Sequence, residues 1–215
     1  MIVKMSSKIC IFDFEVGNIN SVVNAFNYLN IETVVTNDIK NLDKSIGIVL
    51  PGNGNFNFIM KKTKSLELDK KLLEISDKSI PILGICIGFQ ILFEEGKENF
   101  SEKGLGFAKG NVDKIANILN YEDFKLPNIG WNKTKVVNKK KLFSDLSDEE
   151  YFYYLHSLTP YNYDNSSISS FTNYGMKIAS SIEIGHVCGV QFHPEKSHKS
   201  GLKILNNWIN YYVKI

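Results

Sequence analysis

The sequence lacks arginine altogether, since all 25 of its basic residues are lysines. Arginine supplies the planar, two-pronged donor that clamps carboxylates and phosphates, so a heavily phosphorylated ligand is expected to bind a partner protein instead. Net charge is also small, because 23 acidic residues reduce it to +2. Nucleic-acid grooves and polybasic membrane patches need concentrated positive charge. We therefore expect neither nucleic acid nor a membrane as a partner.

Cysteine and long apolar runs are scarce too. Cys10, Cys86 and Cys188 are too widely spaced for a zinc ribbon, and their odd number does not indicate a disulfide framework. The N-terminal stretch has no long apolar core of a signal peptide, and no run approaches the roughly 18 apolar residues of a membrane span. This pattern predicts a soluble protein of the reducing cytoplasm.

The apolar patterns predict an α/β fold. The chain is 43% hydrophobic, and no linker or repeat divides it, so residues 1–215 are expected to form one domain. Buried-strand patterns at Lys8–Phe14 and Ile46–Leu50 alternate with a helical pattern at Asn20–Leu29. We expect an open, mostly parallel central sheet with flanking helices, and an added antiparallel β portion in the C-terminal half.

Five further segments complete the prediction. Amphipathic helices are expected at Leu66–Lys78 and Gly201–Val213. Polar composition predicts loops at Glu94–Lys103 and Tyr161–Ser170. A turn presenting a large aromatic side chain is predicted at Pro127–Asn132.

One cysteine lies between two glycines at the junction of two apolar runs, in Pro81–Phe93 (PILGICIGFQILF). This pattern predicts a strand, a sharp turn and a helix, with Cys86 in the G-x-nucleophile-x-G elbow. Unpaired N–H groups at a helix start favour the thiolate, which is the attacking form of the side chain. Cys86 is therefore a candidate nucleophile; the alternative is an unreactive cysteine in a buried strand.

A second stretch with chemical content is Gln191–Glu195 (QFHPE). Alternate side chains of an extended backbone share a face, so His193 and Glu195 are expected to point the same way. They can serve as a base and its orienting carboxylate, which would complete a Cys-His-Glu triad with Cys86. The alternatives are a structural histidine beside a surface glutamate, or a zinc site formed with His198, although the usual paired ligand spacing is missing.

A glycine-rich segment, Pro51–Phe56 (PGNGNF), follows the strand predicted at Ile46–Leu50. It lacks the third glycine of a dinucleotide loop and the Gly-Lys-Ser of a Walker loop. Two interpretations remain. The segment is either a plain turn or a strand end whose backbone N–H groups face a developing oxyanion.

The elbow, the PGNG segment and the QFHPE segment, in this order, resemble the class I (triad) glutamine amidotransferases. Within that class, Pro127–Asn132, Tyr151–Ser157 and His193–Ser197 (HPEKS) are similar to the glutaminase subunits of imidazole glycerol phosphate synthases. The resemblance covers nearly the whole chain. It implies a class I amidotransferase fold with a nucleophile elbow and no cofactor or metal.

The resemblance also implies roles for individual residues. Cys86 would attack the carboxamide of L-glutamine, His193 would shuttle the proton, and Glu195 would orient His193, releasing glutamate and ammonia. The positions that match the oxyanion region and the glutamine-binding residues of the family are Gly52, Asn53, Ile87, Gln90, His156 and Ser157.

In this family the ammonia passes to a (β/α)8 cyclase subunit, which makes imidazole glycerol phosphate and AICAR in histidine biosynthesis, and the two subunits form a heterodimer. A dry conduit is needed because free ammonia is largely protonated in neutral water and then cannot attack. By the same resemblance, Gly52-Asn53 would adopt its productive orientation only when the partner is loaded. We expect Asn128, Trp131 and Asn132 at the contact with the cyclase.

Three positions depart from the narrower pattern. Asn53 replaces a usual apolar residue, Ala108-Lys109 stands where a proline is common, and Leu158 stands where an aromatic residue is expected. These departures leave open a paralogous glutaminase that supplies ammonia to a surface-sugar amidotransferase through a cyclase-like partner. Further alternatives are a stand-alone cysteine hydrolase and a non-catalytic scaffold, of which the intact triad disfavours the scaffold.

Overall fold

The structure is a computed structural model that describes residues 8–118, 125–139 and 141–215. Residues 1–7, which begin the N-terminal stretch considered above, lie outside these ranges. The strands of the described ranges are β1 (Ile9–Phe12), β2 (Thr33–Thr36), β3 (Gly47–Leu50), β4 (Ile82–Ile85), β5 (Phe93–Gly96), β6 (Glu102–Lys103), β7 (Ala108–Lys114), β8 (Asn128–Val136), β9 (Glu149–His156), β10 (Leu158–Tyr161), β11 (Ile168–Asn173), β12 (Lys177–Ile184) and β13 (Val187–Val190). The α-helices are α1 (Ile19–Tyr28), α2 (Phe56–Ser65), α3 (Leu68–Asp77), α4 (Ile87–Gln90), α5 (Ile115–Ile118) and α6 (His198–Trp208).

The larger of two sheets has nine strands in the order β2-β1-β3-β4-β13-β12-β11-β8-β9. Neighbours from β2 to β13 are parallel. Neighbours from β13 to β9 are antiparallel. The predicted α/β fold, with a mostly parallel centre and an antiparallel addition in the C-terminal half, is confirmed.

The central strands are buried at every residue because helices cover both faces of the sheet. Cys10 and Phe12 of β1 lie in one core cluster with the apolar faces of α2 and α3. Ile9 and Ile11 lie in the other cluster with α1 and α6. Within the described ranges, no helix is long and apolar enough to cross a membrane.

The four-stranded sheet β10-β7-β5-β6 was not predicted. It uses much of Glu94–Lys103, for which the loop prediction was wrong. Polar residues are compatible with strands here, because β5 has exposed positions and pairs through its backbone with β6 and β7. In addition, the Glu94 carboxylate accepts a hydrogen bond from the backbone of Gly110 at 2.9 Å.

Two helices differ from the prediction. α2 was missed, and it begins where the side chain of Asn55 accepts a hydrogen bond from the Phe58 N–H at 2.9 Å. The helix predicted at Leu66–Lys78 is α3, which begins after Glu67 in a left-handed conformation. Leu73, expected to face the core, is 48% exposed.

Three other boundaries were also wrong. Pro127–Asn132 is not a turn, because Asn128 already pairs with His156 in the β8–β9 ladder. The loop predicted at Tyr161–Ser170 ends early, since β11 begins at the buried Ile168. The closing helix begins earlier than Gly201, with α6, and its last five residues, Ile209–Val213, form a π-helix.

The junction of β4 and α4 is packed too tightly for side chains at two glycines. A Cβ atom on Gly88 would lie 1.7 Å from the carbonyl oxygen of Leu50, and one on Gly84 would lie 2.4 Å from the carbonyl oxygen of Gly88. Both neighbours are backbone atoms, which cannot move away as a side chain could. Only glycine therefore fits on either side of Cys86.

We predict that Gly88→Ala lowers the free energy of unfolding by at least about 3 kcal/mol or prevents folding, because a methyl group would overlap the Leu50 carbonyl. Gly185→Ala is the control: its Cβ would meet nothing within 4 Å, and its φ of +59° carries only the conformational penalty, about 1 kcal/mol. Urea denaturation of both variants measures the difference. Equal losses would contradict the packing argument.

Candidate active site

Cys86 lies at the sharp turn between β4 and α4, with φ 56° and ψ −105°. A non-glycine residue with positive φ is strained, and such residues are concentrated at functional sites. The side chain is 3% exposed, and its Sγ lies 3.6 Å from the carbonyl oxygen of Leu155. The turn thus holds the sulfur at the end of the strand and beside β9.

The parallel register of β4 and β13 brings the QFHPE segment to this turn. Ile85 pairs with Val190, and the N–H of Cys86 donates to the carbonyl of Val190 at 2.9 Å. The N–H of His193 donates to the carbonyl of Tyr153 in β9 at 2.8 Å. The strand ends therefore place His193 between the nucleophile turn and β9.

His193 and Glu195 form the predicted pair, with 2.8 Å between Nδ1 and Oε1. The extended backbone predicted for this segment was wrong, because Pro194–Lys196 form a 3₁₀ turn. Proline suits the first turn of a helix, since its fixed φ is helical and it has no N–H to satisfy. The turn folds the carboxylate back onto the imidazole of the residue that precedes it.

Burial, which lowers the pKa of His193, is outweighed by the negative charges of Cys86 and Glu195, and these raise the pKa to about 10. A protonated His193 stabilises a thiolate beside it. Its Nε2 makes no hydrogen bond within the described part of the chain. That nitrogen is the one left to exchange a proton with the sulfur or with a bound molecule.

An open cleft of about 330 Å³ lies on one side of the sulfur. Its lining consists of Asn53, Gly54, Cys86, Ile87, Gln90, Glu98, Pro127, Leu155, His156, Ser157 and Leu158. Six of the nine residues predicted to act in catalysis or substrate binding are among them, although they come from four distant segments of the chain. The cleft has the size of a small-molecule site.

Gly52, His193 and Glu195 line a separate cavity behind the cleft, and Asn53 lines both. The carbonyl oxygen of Gly52 accepts a hydrogen bond from the Ile87 N–H at 3.4 Å. The N–H predicted to stabilise an oxyanion is therefore occupied by a protein carbonyl in this conformation.

His156 is buried, and both of its ring nitrogens are hydrogen-bonded. Its Nδ1–H donates to the carbonyl of Leu158 at 2.7 Å, and the amide of Asn128 donates to its Nε2 at 3.0 Å. Burial lowers the pKa of His156 to about 4; the Leu158 carbonyl opposes this shift and the charge of His193 adds to it. His156 thus contributes a neutral ring to the cleft wall, with no free nitrogen for a ligand.

The three predicted partner contacts differ in exposure. Trp131 is 44% exposed and stacks on His198 with ring centroids 5.0 Å apart. Asn128 is 0% exposed and accepts a hydrogen bond from Asn132 at 2.8 Å. Because side chains alternate along β8, Ile129 faces solvent and Asn128 does not. His198 of the zinc alternative is thus engaged with Trp131.

Sequence reasoning missed Glu98, the one carboxylate that lines the cleft. Its Oε2 accepts a hydrogen bond from the Phe56 N–H, at the start of α2, at 2.6 Å. The two residues are 42 positions apart, so no local pattern indicates the contact. The role of Gln191, which lies in a motif that was recognised, could have been found from the register of β13 beside β4.

Comparison with known proteins identifies the class. A family model described as glutamine amidotransferase class-I matches residues 10–210. The chain therefore belongs to the class-I glutamine amidotransferases, as its motifs predicted.

Individual relatives give a more particular likeness. An imidazole glycerol phosphate synthase subunit HisH from Pelagibacter ubique is 40% identical over 94% of this chain and 99% of that protein. The protein of the same name from Methanocaldococcus jannaschii is 40% identical over 93% and 97%. A solved GMP synthase subunit from Thermoplasma acidophilum has a TM-score of 0.71 at 24% identity, covering 95% and 92%, which shows the shared fold.

We predict that the neutral state of His156 makes the protein less stable in acid. Its pKa is about 4 when folded and near 6.5 when unfolded, so the unfolded chain binds the proton first as the pH falls. Stability is present above pH 6.5 and is lost between pH 6.5 and 4, by up to about 3 kcal/mol.

Urea denaturation between pH 7 and pH 4 checks this expectation. His156→Gln should flatten the pH dependence of stability relative to the unmodified chain. His198→Gln, which changes an exposed histidine, should leave it unaltered. A parallel pH dependence for all three proteins would show that His156 is not the titrating group.

Proposed function

We propose that the chain is a glutaminase, which hydrolyses L-glutamine to glutamate and ammonia with Cys86, His193 and Glu195. The observation that carries this proposal is the buried 2.8 Å pair of His193 and Glu195 beside a strained cysteine at the edge of the cleft. We further propose that it is the ammonia-producing subunit of an imidazole glycerol phosphate synthase in histidine biosynthesis. The full-length likeness to HisH proteins supports that assignment.

In the first half of the reaction, the thiolate of Cys86 attacks the carboxamide carbon of glutamine, and the carbonyl oxygen becomes an oxyanion. The imidazolium of His193 gives its Nε2 proton to the leaving nitrogen, so ammonia departs and a glutamyl thioester remains. Glu195 stabilises the imidazolium before the transfer and fixes the ring orientation through Nδ1.

In the second half, the now neutral His193 takes a proton from water as the oxygen of that water attacks the thioester carbon. The carbon–sulfur bond breaks, glutamate is released, and the thiolate–imidazolium pair is restored. The raised pKa of His193 favours this restored ion pair, because it keeps the proton on the imidazole when the sulfur is negative.

The lining of the cleft supports recognition of an amino acid. Glu98 offers a carboxylate for the α-ammonium group of glutamine, and Gln90 and Ser157 offer polar atoms for its other backbone groups. His156 acts indirectly, because both of its nitrogens are engaged by Leu158 and Asn128.

The oxyanion donors would become available by a turn of the Gly52–Asn53 peptide. The carbonyl of Gly52 now occupies the N–H of Ile87 at 3.4 Å. Rotation of this peptide would withdraw the carbonyl and present the N–H of Asn53 to the same region. We place this change under the control of a loaded partner, since a missing oxyanion donor lowers the rate by on the order of a hundredfold or more.

The outer face of β8 and β9 suits a (β/α)8 cyclase partner. Ile129, Trp131 and Tyr151 are exposed there, and Trp131 lies opposite Tyr153 across the two strands. Leu155 on β9 lines the cleft and contacts the sulfur of Cys86 through its carbonyl. A cyclase bound on this face would lie next to the cleft, where a closed path for ammonia is needed.

We predict that glutamate release rises by at least about tenfold when the histidine-pathway cyclase and its ribonucleotide ligand are added, because the oxyanion donors become free. Cys86→Ala should abolish imidazole glycerol phosphate formation from glutamine but retain formation from ammonium salts. Coupled assays for glutamate and for the cyclase product measure both effects.

Each alternative gives a different result in these assays. Equal turnover with and without the cyclase would favour a stand-alone hydrolase. No turnover in either condition would favour a scaffold, and glutaminase activity that the histidine-pathway cyclase does not stimulate would favour the sugar-modification paralogue. Loss of both activities in folded Cys86→Ala would exclude channelled ammonia.

We predict that Trp131→Ala weakens binding of the cyclase by about tenfold or more, because large aromatic side chains contribute much of the affinity at interfaces. Leu73→Ala is the matched control, since Leu73 is 48% exposed and Trp131 is 44% exposed. Titration calorimetry of both variants measures the dissociation constants. Similar affinities for the two variants would move the interface away from β8 and β9.

A further inference from the structure

Gln191 is a buried residue directly behind the nucleophile. Its side chain is 0% exposed and does not line the cleft. The side-chain nitrogen lies 3.8 Å from the sulfur of Cys86, within hydrogen-bond range for sulfur. The β4–β13 register causes this proximity, because Val190 pairs with Ile85 and the following residue of each strand lies alongside.

The orientation of the Gln191 amide is fixed by its neighbours. The amide nitrogen of Gln90 donates to the carbonyl of Leu158 at 3.4 Å and to Oε1 of Gln191 at 3.0 Å. A backbone carbonyl can only accept, so the Gln90 nitrogen has to face Leu158. The oxygen of Gln191 is then committed to Gln90, and its NH₂ group is left to face the sulfur.

Two groups with opposite preferences therefore flank the sulfur. The Leu155 carbonyl, at 3.6 Å, can only accept a hydrogen bond and so favours the protonated thiol. The Gln191 amide nitrogen, at 3.8 Å, can only donate and so favours the thiolate. Removing the Gln191 donor would leave the carbonyl unopposed.

We propose that Gln191 is a positioning residue whose carboxamide donates a hydrogen bond to the sulfur of Cys86 whenever that sulfur is negatively charged. This occurs twice in the reaction, when the thiolate attacks and when it leaves the thioester. Gln90 contributes by holding the amide of Gln191 in the donating orientation. The reaction itself rests on the proposed glutaminase function, whereas the hydrogen bond is testable without it.

The first experiment measures the reactivity of Cys86 in the isolated chain. Iodoacetamide labelling of the Cys86 peptide is followed by mass spectrometry between pH 5 and pH 10. Gln191→Met keeps a side chain of similar length and removes the donor. We expect the midpoint of the pH profile to rise by about one unit and the labelling rate below that midpoint to fall about tenfold, as for the loss of one charge-assisted hydrogen bond.

Two further variants separate this effect from general damage to the core. Asn207→Leu removes another buried carboxamide, which donates to the carbonyl of Leu142 at 3.0 Å, and should leave the Cys86 profile unchanged. Gln90→Met should shift the profile in the same direction as Gln191→Met but less, and it carries the test if Gln191→Met does not fold. An unshifted profile in the folded variants overturns the proposal.

The second experiment measures glutamine hydrolysis in the complex with the cyclase and its ribonucleotide ligand. Gln191→Met should lower kcat about tenfold and change KM by less than about twofold, because Gln191 does not line the cleft. A raised KM with unchanged kcat would make Gln191 a binding residue and overturn the proposal. Absence of turnover in the unmodified complex would refute the proposed function, while the labelling profile would still decide the role of Gln191.

Discussion

The absence of space between Gly88 and the carbonyl of Leu50 governs the site. At 1.7 Å from that oxygen no Cβ atom can exist, so α4 packs directly onto the end of β3. The chain between β4 and α4 then has to turn sharply, and Cys86 takes a positive φ of 56°. The strain at one residue places its sulfur at the mouth of a cleft, and the rigid core beneath it maintains that position.

A single carbonyl sets the polarity of the polar groups around this cleft. Leu158 accepts a hydrogen bond from the ring of His156 at 2.7 Å and from the amide of Gln90 at 3.4 Å. One arm continues through Asn128 to the outer strand β8, and the other continues through Gln191 to the sulfur. The orientation of each buried amide follows from its neighbour, which is why such networks are either fully satisfied or costly.

The sequence predicted the class of fold and the triad because each depends on a local pattern. Buried-strand runs mark the central strands, and two glycines around Cys86 mark the elbow. The contact of Glu98 with the start of α2 and the burial of Asn128 were not predictable, because both depend on pairing between distant segments. His193 and Glu195 were paired correctly on an incorrect premise, since a 3₁₀ turn, and not an extended backbone, brings them together.

The segment before α1 bears on the proposed turn of the Gly52–Asn53 peptide. A Cβ atom on Gly17 would lie 2.6 Å from the side-chain oxygen of Asn53, so this segment packs closely on the peptide. Glu15, at a φ of 58°, anchors the segment through its carboxylate to Lys62 at 2.6 Å and to the Asn37 amide at 3.1 Å. The peptide therefore cannot turn independently: either the side chain of Asn53 or the anchored segment has to move with it. A partner that displaced this segment would release the peptide, and this requirement gives the dependence of ammonia production on a partner a physical basis in packing.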